Sequence, residues 1–162
     1  MQQRSPSQQP PKKGSSQTSN VIRELALFRY SLRKFLRFSE KAARSFGITP
    51  QQHQLMLGIA GFTLTGRASI TELAEFLQER HHSVTELIDR ASQNGLVTKE
   101  QDTFDRRVVL VSLTPQGKDI LARLSALHQE EIARVRDGFL NGFDSLSKPE
   151  DLPPEQSKHR SR

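Results

Sequence analysis

The sequence predicts a mainly α-helical domain carrying one small β-hairpin, and three observations predict it. A long N-terminal run places apolar residues at alternating steps of four and three. Farther along, two short helical runs are separated by only a few residues. Two β-prone runs then flank the tetrapeptide DTFD before helical periodicity returns. Together these describe a helix-turn-helix followed by a two-stranded hairpin. That is the winged-helix plan, here set between long N- and C-terminal helices suited to dimerisation.

Residues 1–19 are Gln, Ser and Pro with Arg4, Lys12 and Lys13 and no acid. Such a segment has too little apolar surface to offset its ordering entropy and is expected to be a disordered basic arm. Residues 20–146 are expected to fold, and residues 147–162, with scattered charges and three prolines, to form a disordered tail. Within the folded part, Val21, Leu25, Phe28, Leu32, Phe35, Ser39, Ala42 and Phe46 make one stripe of a long helix closed at Gly47. Its other face carries Arg23, Arg29, Arg33, Lys34, Arg37, Lys41 and Arg44, read as a solvated basic surface.

A second helix starts at Pro50 with Thr49 as its N-cap, and His53 in its first turns is read as a packing residue. Ser69 and Glu72 have the Ser-x-x-Glu spacing of a capping box and open a short helix with Leu73, Ala74 and Leu77 inward. The next helix, HHSVTELIDRASQNGL, turns Val84, Leu87, Ile88 and Ala91 to the core and stops at Gly95. Its outward side offers His81, His82, Ser83, Thr85, Glu86, Asp89 and Arg90, residue types that reach base edges and phosphates from a major groove. Residues 96–101 and 107–114 are the hairpin strands, with Asp105, Arg106 and Arg107 at the tip. A guanidinium there suits a narrow, electronegative minor groove. Thr114 and Pro115 then cap a last helix whose apolar positions Leu121, Leu124, Ile132, Val135 and Phe139 run to about Phe143.

Composition narrows the function. With 24 Lys and Arg against 18 Asp and Glu, the net charge of +6 favours polyanionic partners, nucleic acid first and an anionic membrane surface second. The absence of cysteine excludes disulfides, thiolate zinc sites, cysteine nucleophiles and a thiol-based oxidant sensor. His53, His81, His82 and His128 have no metal-ligand spacing beyond the adjacent pair, and neither a phosphate loop nor a nucleophile motif occurs. An enzyme is therefore not expected, nor a cofactor or metal. With no signal-peptide core and no long apolar window, the expected location is cytoplasmic, without membrane attachment.

The ordered set TELAEFL, HHSVTELIDRASQNGLV, DRR and VSLTPQGK resembles the core of the MarR family of transcriptional regulators, over about residues 48–140, with the DNA-binding part at about 48–115. The resemblance implies a homodimer on a pseudopalindromic operator in double-stranded DNA, usually a repressor released by a small phenolic or other aromatic effector. It places DNA-binding positions on His81, His82, Ser83, Thr85, Glu86 and Arg90, and the wing signature on Asp105, Arg106 and Arg107. One wing arginine enters the minor groove, Arg106 being the favoured one, while Asp105 steadies the tip. Three departures stand out. The turn QERHH before the recognition helix lacks the small or polar N-cap commonly found there. Glu86 occupies a position where a basic residue is common, and Pro153 and Pro154 interrupt what would be the family's final dimerisation helix, leaving dimerisation to the first helix and to residues 116–143. The alternative reading is a winged-helix protein used for protein contacts or nonspecific DNA binding.

Overall fold

The computed structural model describes the backbone of residues 13–63 and 65–146, and side chains within 19–63 and 65–136. Residues 1–12 of the expected arm and the whole expected tail, residues 147–162, lie outside the described residues. The chain divides into two compact units, Phe35–Arg134 and a second one formed by the chain on either side of it.

The unit Phe35–Arg134 carries the winged helix-turn-helix. It contains the end of α1 (Lys13–Ser45), then α2 (Pro50–Leu57), a π-helical turn (Gly58–Phe62), β1 (Arg67–Ser69), α3 (Ile70–Leu77), α4 (His81–Gln93), β2 (Val97–Gln101), β3 (Val109–Leu113) and the start of α5 (Pro115–Leu146). The local reasons are those expected from the sequence. Thr49 caps α2 reciprocally with Gln52, and Ser69 caps α3 reciprocally with Glu72. The Ser69 N–H and hydroxyl both donate to the Glu72 carboxylate at 2.8 Å, and these bonds hold its pKa below the ordinary carboxylate value. Between α3 and α4 the chain turns through Gln78 in the left-handed region at φ 54, which lets Glu79 N–H return to Ala74 O at 3.1 Å. Arg80, at the N-cap of α4, supplies no side-chain cap.

The sheet has three strands in the order β1-β3-β2, all antiparallel. Val97 faces Leu113 and Gln101 faces Val109 in the hairpin, while Ala68 of β1 faces Val111. The strand β1 was not legible in the sequence. Arg-Ala-Ser has no alternation to show, and it becomes a strand because the exposed edge of β3 offers unpaired N–H and C=O groups beside it.

The core collects one stripe from each element: Ala43, Leu55, Met56, Ile59, Leu73, Val84, Ile88, Ala91, Leu96, Val111 and Leu124 are all essentially buried. A polar plug sits among them. The His128 Nδ1 lies 2.6 Å from Leu124 O, and a carbonyl only accepts, so Nδ1 carries a proton. Its Nε2 is hydrogen-bonded with the Ser39 hydroxyl, at 2.8 Å. Ser39, the polar member of the α1 stripe, is thereby explained. His53 stacks on His128 with ring centroids 4.9 Å apart. Burial, and secondarily the charge His128 can carry, push the His53 pKa down from 6.5 to about 4.

Where α5 begins, the Thr114 hydroxyl donates to Gly95 O at 2.6 Å and accepts from Gly117 N–H at 3.0 Å, while Thr114 N–H donates to Leu96 O at 3.0 Å. This knot fixes the end of α4, the hairpin and α5 together. Gly117 is required there, since a Cβ would lie 2.2 Å from Leu96 O.

In the other unit, α1 starts at Lys13, ahead of the expected boundary at residue 20. No proline follows Pro11 in this stretch, so a helix nucleated by the apolar stripe extends upstream at little cost. Ile22, Leu25, Leu27 and Tyr30 on this part of α1 are all exposed. Among the described residues, no helix is long and apolar enough to cross a membrane.

Candidate nucleic-acid interface

The helix α4 is amphipathic in the sense needed for a reading helix. Val84, Leu87, Ile88 and Ala91 anchor it, and His81, His82, Thr85, Glu86 and Arg90 are exposed on the other side. Ser83 is half-buried and turned toward a cleft of about 240 Å³ bordered by Gln51, Glu79 and Arg90. The Thr85 hydroxyl donates back to His81 O at 2.9 Å, leaving its methyl group and an oxygen lone pair outward. Glu86 and Arg90 pair at 3.8 Å across one helical turn, both largely exposed, which makes this a weak and easily broken contact.

Asp89 leaves the outward set. Its carboxylate takes the Lys99 ammonium of β2 at 2.6 Å, so it ties the hairpin to α4. Sequence reasoning grouped Asp89 with the exposed polar residues and did not single out Lys99. Nothing local reveals a pair ten residues apart on different elements.

The tip of the hairpin is closed by its own hydrogen bonds. Asp102 N–H donates to Val108 O at 2.9 Å, and Val108 N–H donates to Asp105 O at 2.8 Å. Asp105 N–H donates to the Asp102 carboxylate at 3.4 Å, and Asp105 Oδ1 accepts from Arg107 N–H at 3.0 Å and from Arg107 Nε–H at 3.1 Å. Both carboxylates are thus spent on the loop itself. Asp102 was missed in the sequence, although the Asp-x-x-Asp spacing across a turn was a usable signal. The Arg107 side chain remains 91% exposed despite its pairing. Arg106 is exposed and, among the described residues, has no ion-pair partner. The tip therefore turns cations outward while its acids are held within the loop.

Residues 46–108 match the model of the MarR family. This segment is similar to the MarR family along its whole matched length. It runs from the end of α1 through the tip of the wing, so it contains every DNA-binding position expected from the sequence. The HTH-type transcriptional regulator YsmB of Bacillus subtilis (strain 168) is 29% identical over 126 residues, covering 75% of this chain and 84% of its own. The HTH-type transcriptional repressor MdtR of the same organism is 33% identical over 101 residues, covering 55% of this chain and 63% of its own. Among solved structures, a mutant of E. coli MarR in complex with operator DNA superposes with a TM-score of 0.60 at 24% identity, over 83% of this chain and 96% of that one.

Proposed function

We propose that this chain is a MarR-family, sequence-specific DNA-binding transcriptional regulator, a homodimeric repressor in the cytoplasm that releases its operator when a small aromatic molecule binds. The observation that carries this reading is the coupling of α4 to the wing. An exposed polar helix face is tied through Asp89 and Lys99 to a hairpin whose acids are spent internally and whose Arg106 points out unpaired. A guanidinium carried on a loop closed this way can enter a narrow groove without reordering the backbone and has no ion pair to break first.

The roles follow from chemistry. In the major groove, His81, His82 and Ser83 supply groups for phosphates or base edges at the start of α4. The Thr85 methyl suits a thymine methyl, and Glu86, freed from Arg90, accepts from a cytosine amine. Arg90 then turns to the backbone, and Arg106 enters the minor groove while Arg107 and Asp105 hold the tip. Two such units around a two-fold axis would set their reading helices about 34 to 36 Å apart, one turn of DNA. The exposed Ile22 and Leu25, neighbours on one side of α1, supply apolar surface for the dimer contact. Repression is supported by the similarity to MdtR.

An effector has room in a groove of about 370 Å³ lined by Leu36, Ser39 and Glu40 of α1, Pro50, Gln51 and Gln54 of α2, and Leu77, Glu79 and Leu87 around the turn into α4. Its leucine walls suit an aromatic ring, and its two carboxylates favour a neutral phenol over a benzoate-like anion. A molecule seated there touches the turn that aims α4, which is how release would follow.

The test is selection of genomic sites by the purified protein at stated salt, followed by titration of Arg106→Ala and Thr85→Ala on the selected operator. Arg106→Ala should cost on the order of 1 to 3 kcal/mol, most on A·T-rich flanks, and Thr85→Ala should change base preference under α4. Two folded variants that bind like the parent would overturn the reading.

A further inference from the structure

Phe104 is the most exposed large apolar side chain among the described residues. It is 97% exposed, whereas the others, on α1, α5 and the π-helical turn, lie between 37% and 62%. A single exposed apolar residue ordinarily needs no explanation. This one differs in where it stands and in what holds it there.

It is next to Asp105, two residues before Arg106, at the apex of a loop whose hydrogen bonds are all internal. Asp102 and Asp105 on either side of the Thr103–Phe104 pair fold their carboxylates back onto backbone N–H groups and onto Arg107. The loop could have closed equally well around a polar apex. Instead it projects a phenyl ring and a free guanidinium from the same few residues, while its negative charges are held inward. An apolar ring beside cations, with Asp105 paired to Arg107 and Asp102 turned to a backbone N–H, suits a partner that offers both negative charge and C–H surface at short range. The wall of a DNA minor groove has that composition: phosphates on the rim and deoxyribose C–H groups between them.

We propose that Phe104 is an apolar DNA contact that packs against the deoxyribose wall of the minor groove next to the inserted Arg106. This rests on the reading of the hairpin as a DNA-contacting wing. A wall contact is favoured over a wedge between base pairs because a ring that unstacks bases widens the groove and kinks the duplex. Arg106, two residues away, gains most from a groove that stays narrow, about 6 Å wide. The same tip does not exploit both.

Such a contact carries no charge, and this separates it from the wing arginines Arg106 and Arg107. Phe104→Ala should weaken binding about tenfold, the effect of half-burying a phenyl ring, by a similar factor on all operators. Because no phosphate contact is lost, the log-log dependence of affinity on salt should stay parallel to that of the parent, whereas loss of one phosphate contact changes that slope by about 0.9. Phe104→Leu should recover most of the affinity.

The chain contains no tryptophan, so Phe104→Trp creates a single emission reporter at the apex. Its emission should shift to the blue, without strong quenching, when operator is added. The experiment is fluorescence-anisotropy titration of the full-length Ala, Leu and Trp variants on the selected operator at several salt concentrations, with the Trp emission recorded alongside. Parent-like affinity of Phe104→Ala, or Trp emission that stays red in a complex that anisotropy shows to be formed, would overturn the proposal. Strong quenching would place the ring among stacked bases and overturn the wall contact. In each of these cases an intact loss of binding by Arg106→Ala shows that the wing reading survives. Failure of Arg106→Ala and Thr85→Ala to affect binding would show instead that the DNA reading itself had failed.

Discussion

Replacing Gly117 by Ala should destabilise the protein, although alanine is the better helix former. The added Cβ would lie 2.2 Å from Leu96 O and 3.2 Å from Leu96 C, so the first turn of α5 and the segment after α4 must part by about 1 Å to restore ordinary contact. Neither side yields freely. Leu96 O already accepts from Thr114 N–H at 3.0 Å and from the Thr114 hydroxyl at 3.2 Å, and that hydroxyl also serves Gly95 O and Gly117 N–H. Disturbing two of these bonds costs about 1 kcal/mol each, and overpacking adds about 1 to 3 kcal/mol. The gain in helix propensity returns at most about 1 kcal/mol. The net expectation is a loss of about 2 to 4 kcal/mol, read by equilibrium urea unfolding under circular dichroism at fixed protein concentration. Gly61→Ala is the control, because a Cβ there meets nothing within 4 Å. A Gly117→Ala variant as stable as the parent, or more so, would refute the claim that this knot joins α4, the wing and α5.

Three further outcomes are expected. His53, only 2% exposed and with its pKa pushed down to about 4, is neutral in the fold down to far lower pH than in the unfolded chain. Its contribution to stability is therefore unchanged above about pH 7 and falls as pH drops from about 6.5 toward about 4; between pH 7.5 and pH 5 the loss is about 2 kcal/mol. Urea unfolding at the two pH values should show this drop in the parent and much less of it in His53→Leu; equal drops would exclude His53 as the cause. Leu25→Glu, on the exposed apolar face of α1, should shift the protein from dimer to monomer in analytical ultracentrifugation, and a monomeric parent at micromolar concentration would defeat the dimer assignment. Deleting residues 1–12 removes Arg4 and Lys12, and binding to all DNA sequences should weaken by similar factors, with a salt slope lower by about 0.9 for each lost phosphate contact. A change in base preference would mean that this segment reads sequence.

What the sequence determined by itself was most of what local rules decide. Thr49 as an N-cap, and Ser69 with Glu72 at the required spacing, mark their helix starts, because the orphan N–H groups of a helix end must be met within one turn. Val84, Leu87, Ile88 and Ala91 could be assigned to the core, and with them the outward face of α4, because the 3.6-residue period leaves no other register. The order of these elements carried the family resemblance. The tertiary structure decided whatever depends on partners distant in sequence. The strand β1 exists only because β3 lies beside it, and Asp89 became a tether rather than a reader once β2 brought Lys99 within 2.6 Å. Ser39 sits in the apolar stripe of α1 because His128, 89 positions away, is its hydrogen-bond partner. At the wing tip the composition was visible from the start, but which acids turn inward, and hence which cation and which ring are left outward, follows from hydrogen bonds that only the folded loop can form.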